Sequence, residues 1–256
     1  MTPVEKADLL RRLHTDPELL VLVNVWDVVS ATLVAGLPGC RALATASHSI
    51  ASSHGFADGE QIPVEEMIDA VGRITAAVDV PVTADLEAGY GDVGSTVRRA
   101  IAAGAVGGNI EDKMQPLVDS VAGVEAAVAA GSAEGVPFVL NARTDAFLKA
   151  ADRDREDVLA DAIERGRAYL DTGADCVFVP GKLDAPTVQR LVEGIGERKV
   201  SVIAYPGSLP QSELAALGVA RMSLGPWSQR VALAGLKAMG VDVLAGGDLP
   251  ATEILT

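Results

Sequence analysis

Eight short apolar runs recur along the chain, each followed by a polar or glycine-containing loop and then by an amphipathic stretch. The runs are continuously apolar, which is typical of parallel strands buried on both faces. Eight such units in 256 residues predict an α/β fold of the (β/α)8 TIM-barrel type. The alternative is an open, doubly wound sheet, but Val23–Asp27 at the end of the first run lacks the glycines of a phosphate loop. The runs are Val21–Val25, Ala42–Thr45, Pro81–Ala84, Gly107–Ile110, Phe138–Asn141, Cys176–Val179, Val200–Ala204 and Ala220–Leu224.

The predicted barrel occupies the whole chain, because no Pro-, Gly- or Ser-rich linker is long enough to divide it. We therefore expect a single domain over residues 1–256. The amphipathic stretch Met1–His14 predicts an extra helix before the first strand, and Pro226–Met239 predicts a final helix. Between them, Pro63 is expected at the first helical position of a helix over Val64–Val78.

The charge balance argues against two classes of partner. The chain has 21 Lys and Arg against 35 Asp and Glu, a formal net charge of −14. Nucleic acids and anionic membrane surfaces select Lys- and Arg-rich proteins, so neither is an expected partner. The best candidate for a membrane span, Leu19–Leu37, is interrupted by Asn24, Asp27 and Ser30. Two cysteines cannot form a disulfide framework, which favours a reducing, cytoplasmic location.

Acidic side chains are concentrated at the predicted carboxyl ends of two neighbouring strands, where barrel enzymes carry their chemistry. Asp85 and Glu87 follow the third run, and Glu111 follows the fourth. Carboxylates crowded in a partly dry cavity repel each other, and the single arginine after the fifth run, Arg143, cannot neutralise them all. Because the chain has no Cys/His cluster, an all-oxygen site for Mg²⁺, with Mn²⁺ as an alternative, is expected. Arg143 would then hold a substrate carboxylate.

Other polar residues near the strand ends have structural as well as functional explanations. Asp112 and Asp145 can each cap or pair locally, which favours a structural role. His48 and His54 could act as an acid or base near neutral pH. A solvent-facing position is the better expectation for His54, whereas both roles stay open for His48.

Taken in order, the strand ends resemble the isocitrate lyase/phosphoenolpyruvate mutase superfamily. No single segment is specific, but the ordered set spans most of the chain. The matching segments are Asn24–Asp27, Thr45–Ser47 running to Gly55–Gly59, Asp85–Gly91, Asn109–Lys113, Asn141–Asp145 and Phe178–Gly181.

The resemblance implies a role for each matching position. Asp85 would be the direct Mg²⁺ ligand, and acids around it would hold the metal's waters. Ser47 and its neighbours would contact the 2-oxo acid, and Tyr90 would close over it as part of a lid. The implied catalytic residues are Arg143, Glu111 and Asp58; the implied metal ligands are Asp85, Glu87 and Glu111; the implied substrate-binding residues are Ser47, Thr45, Trp26, Arg143 and Tyr90.

The resemblance also implies a reaction class. Members use the metal to stabilise an enolate while a C–C or P–C bond breaks. This chain departs from the lyases, because Lys113–Ser120 lacks the Cys and His of their loop. It departs from the phosphonate enzymes at Asp119, where they carry Asn, and both branches carry a polar residue at the position of Pro180.

Three functions are therefore carried forward. The leading hypothesis is a Mg²⁺-dependent lyase or hydrolase that cleaves a C–C bond in a small 2-oxo or 2-hydroxy dicarboxylate. The second is a phosphoenolpyruvate or phosphonopyruvate mutase or hydrolase. The third is a non-catalytic binder of oxo acids. Family members exchange a final helix between subunits, so a homodimer or homotetramer with a swapped C-terminal helix is expected.

Overall fold

One parallel sheet contains every strand found in residues 1–251, the part of the chain that the computed structural model describes. Residues 252–256, the end of the expected domain, lie outside it. The strands are β1 Leu20–Leu22, β2 Asn24–Val25, β3 Leu43–Thr45, β4 Val82–Asp85, β5 Gly107–Glu111, β6 Val139–Arg143, β7 Cys176–Phe178, β8 Val200–Ile203 and β9 Arg221–Ser223.

The sheet closes on itself through its first apolar run. The strand order is β1-β9-β8-β7-β6-β5-β4-β3-β2, so β1 and β2 lie at opposite ends of the order. These two strands are consecutive halves of one run, separated only by Val23, and they pair with β9 and β3 respectively. The predicted barrel is thus confirmed. There are nine strand segments instead of eight because the first run divides its hydrogen bonds between two neighbours.

Helices follow the strands and surround the barrel. The expected N-terminal helix is confirmed, and Pro63 is the N-cap residue of its helix, one position before the expected N1. The helices within residues 1–251 are α1 Pro3–Thr15, α2 Val28–Ala35, α3 Ser47–Ser53, α4 Val64–Ala76, α5 Val93–Ala102, α6 Leu117–Ala133, α7 Arg155–Asp171, α8 Ala185–Ile195, α9 Gln211–Ala216 and α10 Trp227–Leu244.

Helix α1 is packed against the amino-terminal end of the barrel. Its start is fixed by a capping box, in which Thr2 and Glu5 each accept the other's backbone N–H. Leu10 and Leu13 are fully buried, and Arg11 forms an ion pair of 2.7 Å with Asp175 on the β7 side. This end is therefore closed, which leaves the carboxyl ends of the strands as the open face.

Helix α10 contacts β2 at its start, where Gln229 is buried and donates to Ser49 O and Ser53 Oγ of α3. Most of the remaining helix is exposed and carries large apolar side chains, Leu236 among them at 59% exposure. Exchange of this helix between subunits, as the resemblance implied, stays a prediction.

No helix in the described part of the chain combines the length and apolarity needed to span a bilayer.

We expect Gly107→Ala to destabilise the barrel, since the added Cβ would lie 2.7 Å from Val139 O and 2.8 Å from Leu10 Cδ2. Such overpacking costs about 1–3 kcal/mol. Gly235→Ala is the control, because no atom lies within 4 Å of the new Cβ on exposed α10. It should stabilise the protein by about 0.5–1 kcal/mol through helix propensity. Urea unfolding measures both, and equal effects of the two substitutions would contradict the packing argument.

Candidate active site

The carboxyl ends of β4, β5 and β6 lie side by side and bring the predicted acids to one mouth. Parallel pairing places Asp85 opposite Asn109 and Glu111 opposite Arg143. Alternate residues of a strand share a face, so Asn109 and Glu111 face the same side of β5. The ordered barrel register, and not local sequence, therefore assembles this cluster.

Asp85 is held by the end of the neighbouring strand β3. Ser47 donates its backbone N–H (3.1 Å) and its hydroxyl (2.7 Å) to Asp85 Oδ2, and the Asp85 N–H donates to Thr45 Oγ1 (2.9 Å). Among residues 1–251, Asp85 Oδ1 accepts no hydrogen bond from the protein. One carboxylate oxygen is thus fixed by donors while the other remains available for a cation.

The loop after β4 folds back over the strand end. Glu87 and Tyr90 both have a positive φ, 51° and 52°, which non-glycine residues adopt at a cost. Gly89 between them has φ 90°, and a Cβ there would lie 2.6 Å from Val93. This turn buries Glu87, whose Oε1 accepts a hydrogen bond of 3.0 Å from the Tyr90 hydroxyl.

Arg143 is engaged by two carboxylates. Its Nη1 lies 2.7 Å from Glu111 Oε2, and its Nε donates to Asp145 Oδ1 at 2.8 Å. The guanidinium carbon also lies 5.9 Å from the centre of the Phe178 ring. Its Nη2 makes no hydrogen bond within the described chain, so this nitrogen is the one available to a substrate carboxylate.

The acids of the mouth are hard to ionise together. The pKa of Glu87 is raised from 4.5 to about 7, first by burial and then by the charges of Asp85 and Asp58. The pKa of Glu111 is also raised to about 7, chiefly by burial, although Arg143 acts in the opposite direction. Both carboxyl groups therefore titrate near neutral pH, and a cation at the mouth would favour their ionised forms.

Glu60 belongs to the site but is absent from the residues that the sequence predicted. Its Oε1 accepts from the Tyr90 backbone N–H at 2.6 Å, and its Oε2 lies 2.7 Å from Lys113 Nζ. Lys113 Nζ also lies 4.0 Å from Glu111 Oε1. Glu60 thereby ties together the loops after α3, β4 and β5. Its position two residues after the predicted Asp58 is the signal that could have identified it.

The structural role expected for Asp112 is confirmed by its contacts. Its Oδ1 accepts from the backbone N–H groups of Met114 (2.9 Å) and Asp145 (3.0 Å), and its Oδ2 accepts from the Tyr169 hydroxyl (2.7 Å). Arg165 Nη1 lies 3.2 Å from the same Oδ2. This buried carboxylate anchors the loops after β5 and β6 to α7, and so supports the Asp145 that orients Arg143.

The remaining predicted residues surround this cluster. Asp58 is exposed on the loop between α3 and α4, close enough to Glu87 for its charge to act there. Trp26 and Tyr90 are half-buried against the same apolar cluster, which also contains Val25 and Ile50. Thr45 is fully buried, and its hydroxyl is used by Asp85. Contact of any of these residues with a substrate remains a prediction.

The two histidines differ in environment. His54 is exposed, as expected, and its Nδ1 lies 2.9 Å from Ile50 O of its own helix. His48 is half-buried at the start of α3, and its Nδ1 is buried without a partner among the described residues. Within the described residues, neither histidine forms a hydrogen bond with an acid of the mouth.

The donor set fits a hard divalent cation. Every polar atom that Asp85, Glu87 and Glu111 present is a carboxylate oxygen, and Arg143 and Lys113 are already paired with other acids. Within residues 1–251, no three His, Cys, Asp or Glu side chains converge as a ready chelating group. A metal that keeps several waters and binds one carboxylate directly, as Mg²⁺ does, is compatible with this arrangement.

Comparison with known proteins identifies the family. The family model for phosphoenolpyruvate phosphomutase matches residues 10–244, which include the whole acid cluster. The chain belongs to this family. It is thereby a member of the phosphoenolpyruvate mutase/isocitrate lyase superfamily, as its strand ends implied.

Individual relatives of this family member carry different activities in their names. A phosphoenolpyruvate phosphomutase of Streptomyces hygroscopicus is 28% identical, covering 89% of this chain and 77% of the relative. A 2,3-dimethylmalate lyase of Eubacterium barkeri is 28% identical, covering 83% and 77%. The crystal structure of a Burkholderia cenocepacia J2315 protein superposes with a TM-score of 0.89 at 38% identity, covering 96% and 100%. Family membership alone does not choose between mutase and lyase.

We expect Glu87→Gln to become more stable relative to the wild type as pH rises from 5 to 8 in metal-free protein. Because the pKa of Glu87 is higher in the folded chain, its contribution to stability is present below 4.5 and is lost as pH rises through about 7. Melting temperatures across this range measure the difference. Glu125→Gln, at an exposed position on α6, is the control and should show no such trend. A difference that is flat with pH for Glu87→Gln would contradict the raised pKa.

Proposed function

We propose that this protein is a divalent-metal-dependent lyase or hydrolase that cleaves a C–C bond in a small 2-oxo or 2-hydroxy dicarboxylate. The observation that carries the proposal is that one barrel mouth holds two partly satisfied charged groups. Within the described residues, Asp85 has one oxygen without a protein donor, and Arg143 has one nitrogen, Nη2, without a protein acceptor. The first offers an oxygen to a cation, and the second offers Nη2 to a substrate carboxylate. An oxo acid presents both complementary groups within a few bonds of each other.

The protein's own groups then bind and orient the substrate. Ser47 keeps Asp85 in one rotamer, and Asp145 does the same for Arg143, so neither group needs to reorganise. When bound, Mg²⁺ or Mn²⁺ would supply the positive charge that stabilises an enolate oxygen. Asp58, Glu87 and Glu111 would accept hydrogen bonds from its waters. Tyr90, tied to Glu87 and Glu60, would cover the site from the β4 loop.

The second candidate is a mutase or hydrolase of phosphoenolpyruvate or phosphonopyruvate, and the matching family and the Streptomyces relative favour it. The charges of the site favour the lyase or hydrolase reading. Asp119 and Ser120 line a cavity of about 70 Å³ together with Glu111 and Arg143. This cavity does not include Asp85 or Ser47, so Asp119 would act on a substrate group that extends past Arg143, where a phosphonate dianion would be repelled more strongly than a singly charged carboxylate. No observation favours a non-catalytic binder of oxo acids.

We expect Mg²⁺ to raise the melting temperature, and oxalate to raise it further when Mg²⁺ is present, since ligands that bind only the folded state stabilise it. Asp85→Ala should abolish the Mg²⁺ effect. Arg143→Ala should keep the Mg²⁺ effect and reduce the oxalate increment, because Arg143 would contact the oxo acid and not the metal. Thermal unfolding in a matrix of the two ligands measures all four cases.

Exposed Glu125→Ala is the matched control and should behave as the wild type. Equal loss of the Mg²⁺ effect in Asp85→Ala and Arg143→Ala would contradict the division of roles. If neither ligand shifts the wild-type melting temperature, the site assignment fails. Proton and phosphorus NMR of a panel with oxaloacetate, methylisocitrate and phosphonopyruvate separates lyase from mutase. No turnover with oxalate still bound would support the binder.

We also propose that the protein self-associates as a homodimer or homotetramer through the apolar face of α10. Leu236→Lys should shift the mass measured by light scattering toward the monomer, because Leu236 is 59% exposed and has apolar neighbours along that helix. Val118→Lys on α6, at a residue 73% exposed, is the control for surface charge. Identical masses for both variants and the wild type would exclude α10 as the contact.

A further inference from the structure

A fully buried arginine lies inside the barrel, beneath the acid cluster. Arg221, on β9, is only 1% exposed. Its Nη2 lies 3.5 Å from Asn109 Oδ1, and its Nε is buried without a partner among the described residues. Barrel interiors are dominated by Val, Ile and Leu, so a guanidinium here requires an explanation. Leaving a charge buried and unpaired costs several kcal/mol.

The side chains that are hydrogen-bonded around Arg221 are amides and a hydroxyl. Asn109 Oδ1 also accepts from Asn141 Nδ2 at 2.9 Å, and Asn141 Nδ2 lies 3.4 Å from Ser201 Oγ. Arg221 is directly opposite Ser201 in the β8–β9 register. These amide and hydroxyl groups orient the guanidinium but do not neutralise its charge. Its counter-charge must therefore lie outside this group of side chains.

The mouth lies directly above these side chains. Two residues beyond Asn109 and Asn141 on the same faces of their strands are Glu111 and Arg143. The pKa of Arg221 is lowered to about 10 by burial, while the charges of Cys176 and Asp85 act in the opposite direction. Cys176 is fully buried, and burial raises its pKa to about 12, so the thiol is neutral at pH 7. The geometry points to Asp85, because Asn109, whose Oδ1 contacts Arg221, lies directly opposite Asp85 in the β4–β5 register.

We propose that Arg221 is a positioning residue of the candidate site, and that its charge balances Asp85 from inside the barrel. The other cations of the mouth are committed elsewhere: Arg143 to Glu111 and Asp145, and Lys113 to Glu60. Asp85 has hydroxyl and amide donors from Ser47 but no ion-pair partner in the described chain. Arg221 thus places a positive charge behind Asp85, which weakens the attraction of the mouth for a cation.

The first test is a double-mutant cycle in metal-free protein at pH 8. Arg221→Met and Asp85→Asn remove the two charges singly and together. If the charges attract, the double variant should melt about 2–4 °C above the temperature expected from adding the single effects. Additive effects would overturn the proposal. Where Arg221→Met fails to fold, Arg221→Gln, which keeps a donor for Asn109, completes the cycle.

Arg198→Met provides the matched control for this cycle. Arg198 also has a buried, unpartnered Nε, but its Nη1 donates to the backbone oxygen of Val219, and Asp85 does not act on its pKa. Its effects should add to those of Asp85→Asn. The same coupling in both cycles would show that any loss of a cation produces it, and would overturn the specific role of Arg221.

The second test measures Mn²⁺ affinity and rests on the proposed metal site. Arg221→Met should bind Mn²⁺ about five- to tenfold more tightly, because a repelling charge is removed from below the site. Arg221→Lys, which keeps the charge, should bind as the wild type does. A residue that only supported the fold would loosen binding when lost, so unchanged or weaker affinity would overturn the proposal. Absence of Mn²⁺ binding by the wild type would overturn the proposed function, while the cycle still decides the role of Arg221.

Discussion

Repulsion among carboxylates in a half-buried barrel mouth is the constraint on which the rest of this structure depends. Parallel register brings Asp85 and Glu111 to neighbouring strand ends, and the turn after β4 buries Glu87 close to Asp85. Asp85 is stabilised by donors from Ser47 and Glu111 by an ion pair with Arg143, while the pKa values of both Glu87 and Glu111 are raised to about 7. The arrangement is costly without a ligand, and in the proposed function a bound cation would relieve that cost.

The scaffold supplies the rigidity that this crowding requires. Glu87, Tyr90, Lys113 and Met114 all have positive φ, and all lie in the loops after β4 and β5. Such conformations cost about 1–3 kcal/mol each and persist only where the surroundings determine them. Buried Asp112 fixes the second loop through the Met114 N–H, and Glu60 fixes the first through the Tyr90 N–H. Strain and electrostatic repulsion therefore coincide at the same two loops.

The sequence predicted the barrel because strands buried on both faces leave a continuous apolar run, and all eight runs became strands. It predicted Asp85, Glu111 and Arg143 because each directly ends a strand. It did not predict the division of the first strand at Val23, which depends on which neighbours meet when the barrel closes. The sequence did not single out Arg221 as a site residue, because it lies within the run Ala220–Leu224, whose apolar neighbours indicate a core strand. Glu60 was missed because its partners are 30 and 53 residues away.

The same charge balance bears on the choice between the two chemistries named in the family. In the proposed function, a 2-oxo dicarboxylate would place one carboxylate on Arg143 Nη2 and its oxo group toward Asp85 and the metal, leaving a single negative charge at its far end. A phosphonate would leave up to two charges there, and any part of it that extended past Arg143 toward Asp119 would meet a further carboxylate. Arg143 is already shared between Glu111 and Asp145, so it has little positive charge left to offset the second one. For the proposed function, a substrate whose distal group carries one charge is therefore the better match.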